Sequence, residues 1–493
     1  MNPQTLQSFN ARTGEPHGNA LAASTMAELD AVVNAAADAS PSWASSSGGD
    51  RATLLRALAD SLEAEREALV ALADTETALG PVRLNGELDR TCFQLRRFAT
   101  LAGEGAAFRL VDDPAVAGGP PAGHPDMQRQ WVPLGPVAMF AASNFPFAFS
   151  VLGGDTASAL AAGCPVVVKA HPGHPLLSQQ TYTIIQAVLA RLKLPAGLVG
   201  MVQGAGVHIG VALIRHPRIA AGAFTGSTRG GLALLAEAQA RAVPIPFYGE
   251  LGAINPVVVT PAALGANTEA LADTLASSIT LGCGQFCTNP GLIVLPAHPD
   301  ADRLVTALKS ALASQQPHAM LTAGMRQAFA KGTARQLGHG ARALVNDGAD
   351  ASVAPMPFLA EVDAARLVAE PELREEVFGP SSLLVRTRSL DEIEAVLRSV
   401  QGSLTVTLLG VDADTSDNRR LVRAATAIAG RVLFKGVPTG VAVTAAQQHG
   451  GPWPASTAPM TTSVGDAALE RFVRPVCLQD APAWLKERHG QPC

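Results

Sequence analysis

Charge and aromatic rings are both scarce in this chain of 493 residues. Charged residues make up 16% and aromatics 4%, against 47% apolar. Soluble domains commonly run near a quarter charged, so there is ample apolar surface to bury and broad disorder is excluded. With so few rings, the core must come mainly from Ala, Val and Leu. Basic excess is missing too. The net charge is −5, which argues against nucleic acid or an anionic membrane surface as a partner. The six cysteines, Cys92, Cys164, Cys283, Cys287, Cys477 and Cys493, are too scattered for a disulfide framework, so a reducing, cytoplasmic setting is expected. The start, Met1 to Leu6, lacks the basic and apolar pattern of a secretory leader, and Cys493, as the last residue, makes no prenylation box. The stretch from Trp131 to Gly154 carries no formal charge, but Pro133, Pro136 and Pro146 interrupt any single helix. It reads as a buried strand, a turn and a helix start, not a membrane span. Phosphate loop, HExxH and GxSxG motifs are all absent.

At roughly 100–200 residues per domain, the length allows two to four domains. Residues 25–110 read as helical, with Leu29, Val32, Val33 and Ala36, then Leu54, Leu55, Leu58, Leu62, Leu69 and Leu72, at helical spacing. Residues 113–126 are Pro- and Gly-rich and mark a loop or hairpin. From 131 the texture alternates. Strands are predicted at 136–142, 165–170, 199–203, 219–225 and 245–251, with helices over 148–162, 176–192, 207–215 and 228–242. A second series follows, with strands at 256–260, 292–295, 383–386, 405–409 and 431–434 and helices at 268–280 and 391–400. Continuous apolar strands separated by helices predict an α/β fold with two doubly wound parallel sheets, whose ligands bind at the carboxyl ends of the strands.

Individual motifs leave alternatives open. Gly204-Ala205-Gly206 with Gly210 is one residue off a dinucleotide fingerprint and reads more readily as an ordinary strand-to-helix turn. Cys283 and Cys287 lack the further ligands of a zinc site. Cys287, in Gly284-Gln285-Phe286-Cys287, is either an exposed nucleophile or a buried, inert thiol. Glu250 ends an apolar strand, as a general base or a salt-bridge partner. Asn144 could donate to an oxyanion or close a turn. Gly226-Ser227 could hold a phosphate at a helix start or simply cap it.

Taken together and in order, SNFPF at 143–147, VVVKA at 166–170, FTGS at 224–227, ELG at 250–252, GQFC at 284–287, EEVFGP at 375–380 and GVPTGV at 436–441 resemble the aldehyde dehydrogenase superfamily over nearly the whole chain. The resemblance implies a catalytic set: Cys287 as nucleophile, Glu250 as the base that activates water, and Asn144 as oxyanion donor with the Cys287 N–H. It implies cofactor contacts at Lys169 (adenosine ribose), Gly226 and Ser227 (pyrophosphate), Glu376 (nicotinamide ribose) and Phe378 (nicotinamide). The implied reaction is thiolate addition to an aldehyde, hydride transfer to the nicotinamide, and hydrolysis of a thioester to the acid, with no metal. It further implies a dinucleotide-binding domain over 1–246, a catalytic domain over 247–433, and a return segment over 434–493. This last segment joins a hairpin at 113–132 in an oligomerisation element, so a homodimer or homotetramer is expected.

Longer strings, at 143–175, 247–258, 449–457 and 461–480, resemble the α-ketoglutarate semialdehyde (2,5-dioxovalerate) dehydrogenase branch, which also contains NADP-linked fatty aldehyde dehydrogenases. For a keto-acid aldehyde, no Arg or Lys follows Asn144 through Thr156, so its carboxylate partner must lie elsewhere. Arg471 and Arg474 are candidates by proximity to the C-terminal motif. For a long aldehyde, Phe145, Phe147, Phe286 and Trp453 could line an apolar tunnel. Pro172 stands three residues after Lys169, where an acid would repel a 2′-phosphate, so NADP is expected to be preferred with NAD tolerated. A CoA-acylating enzyme could dispense with Glu250, and a silent binding protein could dispense with Cys287. Both residues are present, which favours hydrolytic aldehyde oxidation.

Overall fold

The computed structural model describes residues 5–265, 267–348 and 350–486; Met1 to Gln4 and Cys493 lie outside them. Four helices form the N-terminal layer: α1 (Met26–Ala44), α2 (Gly48–Ala64), α3 (Arg66–Thr77) and α4 (Pro81–Gly103). Local chemistry sets their ends. Thr25 with Glu28 and Ser47 with Asp50 make reciprocal capping boxes on α1 and α2. Pro81 opens α4 where its missing N–H costs nothing. The buried face of α1, Leu29, Val33, Ala36, Ala39 and Trp43, follows the helical repeat.

The first sheet has five strands in the order Val199–Val202, Val166–Lys169, Val137–Phe140, Ala221–Thr225, Phe247–Glu250, all parallel. Alternate residues feed its two faces. Val137, Met139, Val166 and Val168 join the core with α2 and α4, while Ala138, Phe140 and Val167 join the one with α1. The second sheet has seven strands in the order Arg342–Val345, Phe358–Asp363, Ser381–Thr387, Leu292–Pro296, Pro256–Val259, Ser403–Leu409, Ala429–Leu433. It is parallel except at the Arg342–Val345 edge. Val258, Leu292 and Val294 enter one core, and Val257, Val259 and Ile293 the other. A third, antiparallel sheet joins Leu110–Asp113 and Met127–Pro133 to Val473–Gln479.

The two-sheet α/β reading therefore holds, with three differences. First, the strand Phe247–Glu250 pairs with Ala221–Thr225 in the first sheet, so that sheet runs past the expected boundary at 246. Second, the helix expected over 148–162 covers only Gly154–Ala161; before it the Phe149 carbonyl accepts from the Ala142 N–H and the Gly153 N–H turns to the Ser150 carbonyl, so the chain runs in turns, with Glu87 accepting from the Phe147 and Ala148 N–H groups. Third, the seven-stranded sheet contains Arg342–Val345 and Phe358–Asp363, short strands without a continuous apolar run in the case of Arg342–Val345. No helix among the described residues is long and apolar enough to cross a membrane.

Candidate active site

The expected site residues arrive from both sheets. Asn144, Lys169, Gly226, Ser227 and Glu250 follow or end strands of the first sheet, at their carboxyl edge as the topology requires. Cys287, Glu376 and Phe378 lie in segments leading into Leu292–Pro296 and Ser381–Thr387 of the second. A cavity of about 410 Å³ is walled by Asn144, Thr225, Gly226, Ser227, Glu250, Gly252, Cys287, Glu376 and Phe378, among others.

The turn before Cys287 is left-handed through three residues, Gly282 (φ 54°), Cys283 (φ 59°) and Gly284 (φ 63°). A Cβ on Gly284 would lie 2.2 Å from the Gly379 carbonyl oxygen, so this position can hold only glycine while the segment carrying Glu376 and Phe378 stays against it. Asn255 Nδ2 donates to the Cys287 carbonyl at 2.8 Å, fixing the loop from the other side. Cys287 itself is half-buried. Cys283 is buried, donates its thiol to the His318 carbonyl at 3.0 Å, and is pushed up to about 12 by burial and then Asp350. It is the inert thiol of the two.

Glu250, Cys287 and His449 form a tight cluster whose ligand atoms lie within 4.8 Å of one another. His449 Nε2 lies 3.1 Å from Glu250 Oε1 and 3.6 Å from Cys287 Sγ, with both His449 and Glu250 buried. The Ser463 hydroxyl donates to Glu250 Oε2. Burial opposes the charge of Glu250, but His449, Ser463 and the Cys287 thiol together outweigh it and hold the carboxyl below its ordinary value. Cys287 is pushed the other way, well above the ordinary thiol value, by burial first and then by the Glu250 carboxylate. Asn144 is buried and donates through Nδ2 to the Gln285 carbonyl at 3.0 Å, which leaves a second amide proton.

On the opposite wall, Ser227 caps the helix Thr228–Gln239 by accepting from Gly230 N–H, so the capping role and a place in the cavity wall coexist. The Lys169 ammonium donates to the Gly204 carbonyl at 2.8 Å and is lowered to about 8 by burial. Glu376 is raised to about 8, by burial chiefly and by Glu250 further. Its Oε2 would lie 2.4 Å from a Cβ on Gly252, so that glycine makes room for the carboxyl.

The substrate-side expectations divide. Phe145 and Phe286 meet edge to face at 5.3 Å, and Phe145 meets Phe149 likewise. Phe147 lies in the main core and Trp453 is half exposed, so neither joins that group. Arg471 is no free carboxylate partner: it is buried and paired with Asp155 at 2.7 Å. Sequence reasoning passed over His449 and Ser463, although both lie within strings it singled out. The signal available was that His449 is the one ionisable side chain in HGGPWPAST.

Known proteins resemble this chain in sequence and in fold. Residues 1–452 match the aldehyde dehydrogenase family. Alpha-ketoglutaric semialdehyde dehydrogenase 2 of Azospirillum brasilense is 44% identical over 97% of this chain and 92% of its own length. Alpha-ketoglutaric semialdehyde dehydrogenase of Acinetobacter baylyi is 38% identical over 97% and 91%. Among solved structures, aldehyde dehydrogenase 21 from Physcomitrella patens, in complex with the reaction product succinate, shares the fold. Its TM-score is 0.81 over 98% of this chain and 96% of that one, at 18% identity.

Proposed function

The chain belongs to the aldehyde dehydrogenase family and is an NAD(P)-dependent aldehyde-oxidising enzyme; from that premise we propose that it converts α-ketoglutaric semialdehyde to 2-oxoglutarate through a thioester on Cys287. The observation that carries the catalytic reading is the convergence of Asn144, Glu250, Cys287 and Glu376 on one cavity. The substrate reading draws on the two whole-length relatives, each an alpha-ketoglutaric semialdehyde dehydrogenase.

The cavity suits a nicotinamide dinucleotide. A capped helix start at Ser227 suits a pyrophosphate, Gly252 leaves the space a Cβ would fill beside Glu376, and the half-buried Glu376 carboxyl would accept from ribose hydroxyls. Lys169 and Phe378 complete the set of holding residues. When bound, the nicotinamide supplies the acceptor for a hydride. Pro172 presents no carboxylate three residues after Lys169, which supports NADP as the preferred form with NAD tolerated.

The protein's own groups account for the remaining steps. The Cys287 proton has Glu250 and the His449 ring within reach, and the resulting thiolate adds to the aldehyde carbon. The carbonyl oxygen takes up the electron pair as an alkoxide, facing the free Asn144 amide proton and the Cys287 N–H. Loss of one such donor costs about 10²–10³ in rate. After oxidation the acyl group is held as a thioester, and Glu250, ionised at neutral pH, accepts a proton from the attacking water. The thiol is then released with the acid.

The three-stranded sheet of Leu110–Asp113, Met127–Pro133 and Val473–Gln479 is our candidate for the contact in a homodimer or homotetramer, and the cytoplasm our expected location. The deciding assay is nicotinamide reduction with 2,5-dioxovalerate or a long-chain aldehyde, each with NADP and NAD. A higher kcat/KM for dioxovalerate with NADP is expected. A preference for the long-chain aldehyde overturns the substrate, and turnover retained in Cys287→Ala overturns the nucleophile.

A further inference from the structure

The substrate proposed above carries a carboxylate at the end remote from its aldehyde, and the segment after Asn144 offers no cation. The structure supplies two from elsewhere. Arg83, Glu87 and Arg90 fall at i, i+4 and i+7 on α4, so they share one face of the helix. That face lies over the aromatic group beside the reacting residues. The Arg83 guanidinium sits 4.5 Å from the Phe286 ring centre and 5.0 Å from that of Phe145. The Arg90 guanidinium sits 5.3 Å from Phe149 and 5.9 Å from Phe145. Phe286 precedes Cys287 and Phe145 follows Asn144. Arg83 is tied to this place by donating through Nη2 to the Asn144 carbonyl at 2.6 Å.

What sets these two apart is what they leave undone. Arg90 Nε and Nη2 and Arg83 Nη1 are buried atoms with no hydrogen-bond partner. An unpaired buried donor costs about 1–3 kcal/mol, more when charged. The chain's fully buried arginines are employed differently. Arg51 donates to Ser46 and to the carbonyls of Trp43, Ala44 and Ser46, and Arg471 to Asp155 and Ala468. Glu87, the carboxylate between Arg83 and Arg90, does not neutralise them by contact. Its Oε1 accepts from Phe147 and Ala148 N–H, its Oε2 is a buried atom without a hydrogen-bond partner, and it acts on Arg83 and Arg90 through its charge, with no ion pair between them among the described residues. Burial also favours its neutral form.

We propose that Arg90, with Arg83, binds the remote carboxylate of the semialdehyde. The site's selectivity for acid aldehydes would then come from α4 rather than from the loop that carries Asn144. The proposal rests on the keto-acid substrate reading. The planar guanidinium offers paired N–H donors in the geometry a carboxylate accepts, and the Phe145, Phe149 and Phe286 rings hold the two cations in place by their π faces.

The experiment compares Arg90→Gln, Arg83→Gln and Arg90→Lys with the parent enzyme on 2,5-dioxovalerate and on pentanal, an uncharged aldehyde of equal chain length. Removing a charge-paired donor is expected to cost roughly 30-fold or more in kcat/KM for the acid aldehyde, mainly through KM, with pentanal oxidation and the alkylation rate of Cys287 unchanged in Arg90→Gln; Arg83→Gln also releases the Asn144 carbonyl, so its effect is read as the ratio between the two aldehydes. Arg90→Lys should recover part of the loss. Equal losses on both aldehydes would assign the arginines a structural role and overturn the proposal, as would no loss on either. The two readings fail separately. If the parent enzyme prefers pentanal, the substrate reading falls and this inference with it; if the parent prefers dioxovalerate and the variants do not change that preference, only the arginine assignment falls.

Discussion

Replacing Glu376 by Gln tests the cofactor side of the cavity with two readouts that must move together. This carboxyl is raised from 4.5 to about 8, chiefly by burial. At about 1.4 kcal/mol per pH unit, that shift is an upper bound of roughly 5 kcal/mol. The side chain is only half-buried and lines a cavity that water reaches, so screening reduces the figure to roughly 2 kcal/mol. The sign follows from proton binding. Between 4.5 and about 8 the folded protein keeps a proton that the unfolded chain has released, so the cofactor-free enzyme loses stability as pH rises through that window and no further above it. The Gln variant lacks this slope, and the difference in Tm between parent and variant should fall from pH 5 to pH 8. Cofactor binding carries the complementary sign. If ribose hydroxyls donate to the ionised carboxylate, at pH 7 only about a tenth of the parent is in the binding form, and its affinity relative to the variant should rise about tenfold toward pH 9. Lys169, at about 8, titrates in the same range but is common to both proteins and cancels. Fluorescence titration of NADP at several pH values measures the effect. Parallel Kd profiles for parent and variant would refute the assignment of Glu376 to the ribose.

Glu250→Gln should move alkylation of Cys287 by iodoacetamide to lower pH, because the carboxylate is the second cause, after burial, of the raised thiol, while steady-state turnover falls by about 10²–10⁴ for loss of the base. Coincident alkylation profiles, read by mass spectrometry at Cys287, would remove the coupling. Asp155→Asn breaks a buried pair with Arg471, whose side chains are 9% and 2% exposed. It should cost about 3–5 kcal/mol of stability and leave the KM for the aldehyde unchanged; a large KM effect would put Arg471 back in the substrate site.

The fold was legible wherever a segment's chemistry is local. Val166–Lys169 and Pro256–Val259 announce buried parallel strands by their runs of three valines, and α1 announces itself by its cap and its repeat. The expectation was weaker where a distant group overrides local preference. Residues 148–153 look helical, but the Phe149 carbonyl accepts from the distant Ala142 N–H instead of from Gly153. Phe247–Glu250 falls within the strand predicted at 245–251, yet the boundary expected at 246 cuts it off from Ala221–Thr225, to which its hydrogen bonds run.

The same distinction divides the active site. Cys287, Glu250 and Asn144 each sit inside a short motif and were visible as such. His449 and Ser463 gain their meaning only from Glu250, about two hundred residues away in the chain, and Arg83 from a carbonyl 61 residues on. No cation follows Asn144 through Thr156, and of the two C-terminal candidates Arg471 is taken by Asp155. An arginine on a helix ordinarily reads as a solvated face, and Arg83 and Arg90 differ from such residues only in having buried N–H groups that the folded chain leaves unbonded. That property has no sequence signature, because it depends on what the rest of the fold declines to supply. It is also why the arginine variants are the sharper test of substrate: the catalytic set is common to oxidation of any aldehyde, whereas the unbonded N–H groups of Arg83 and Arg90 would gain an acceptor only from an aldehyde that carries one at its far end.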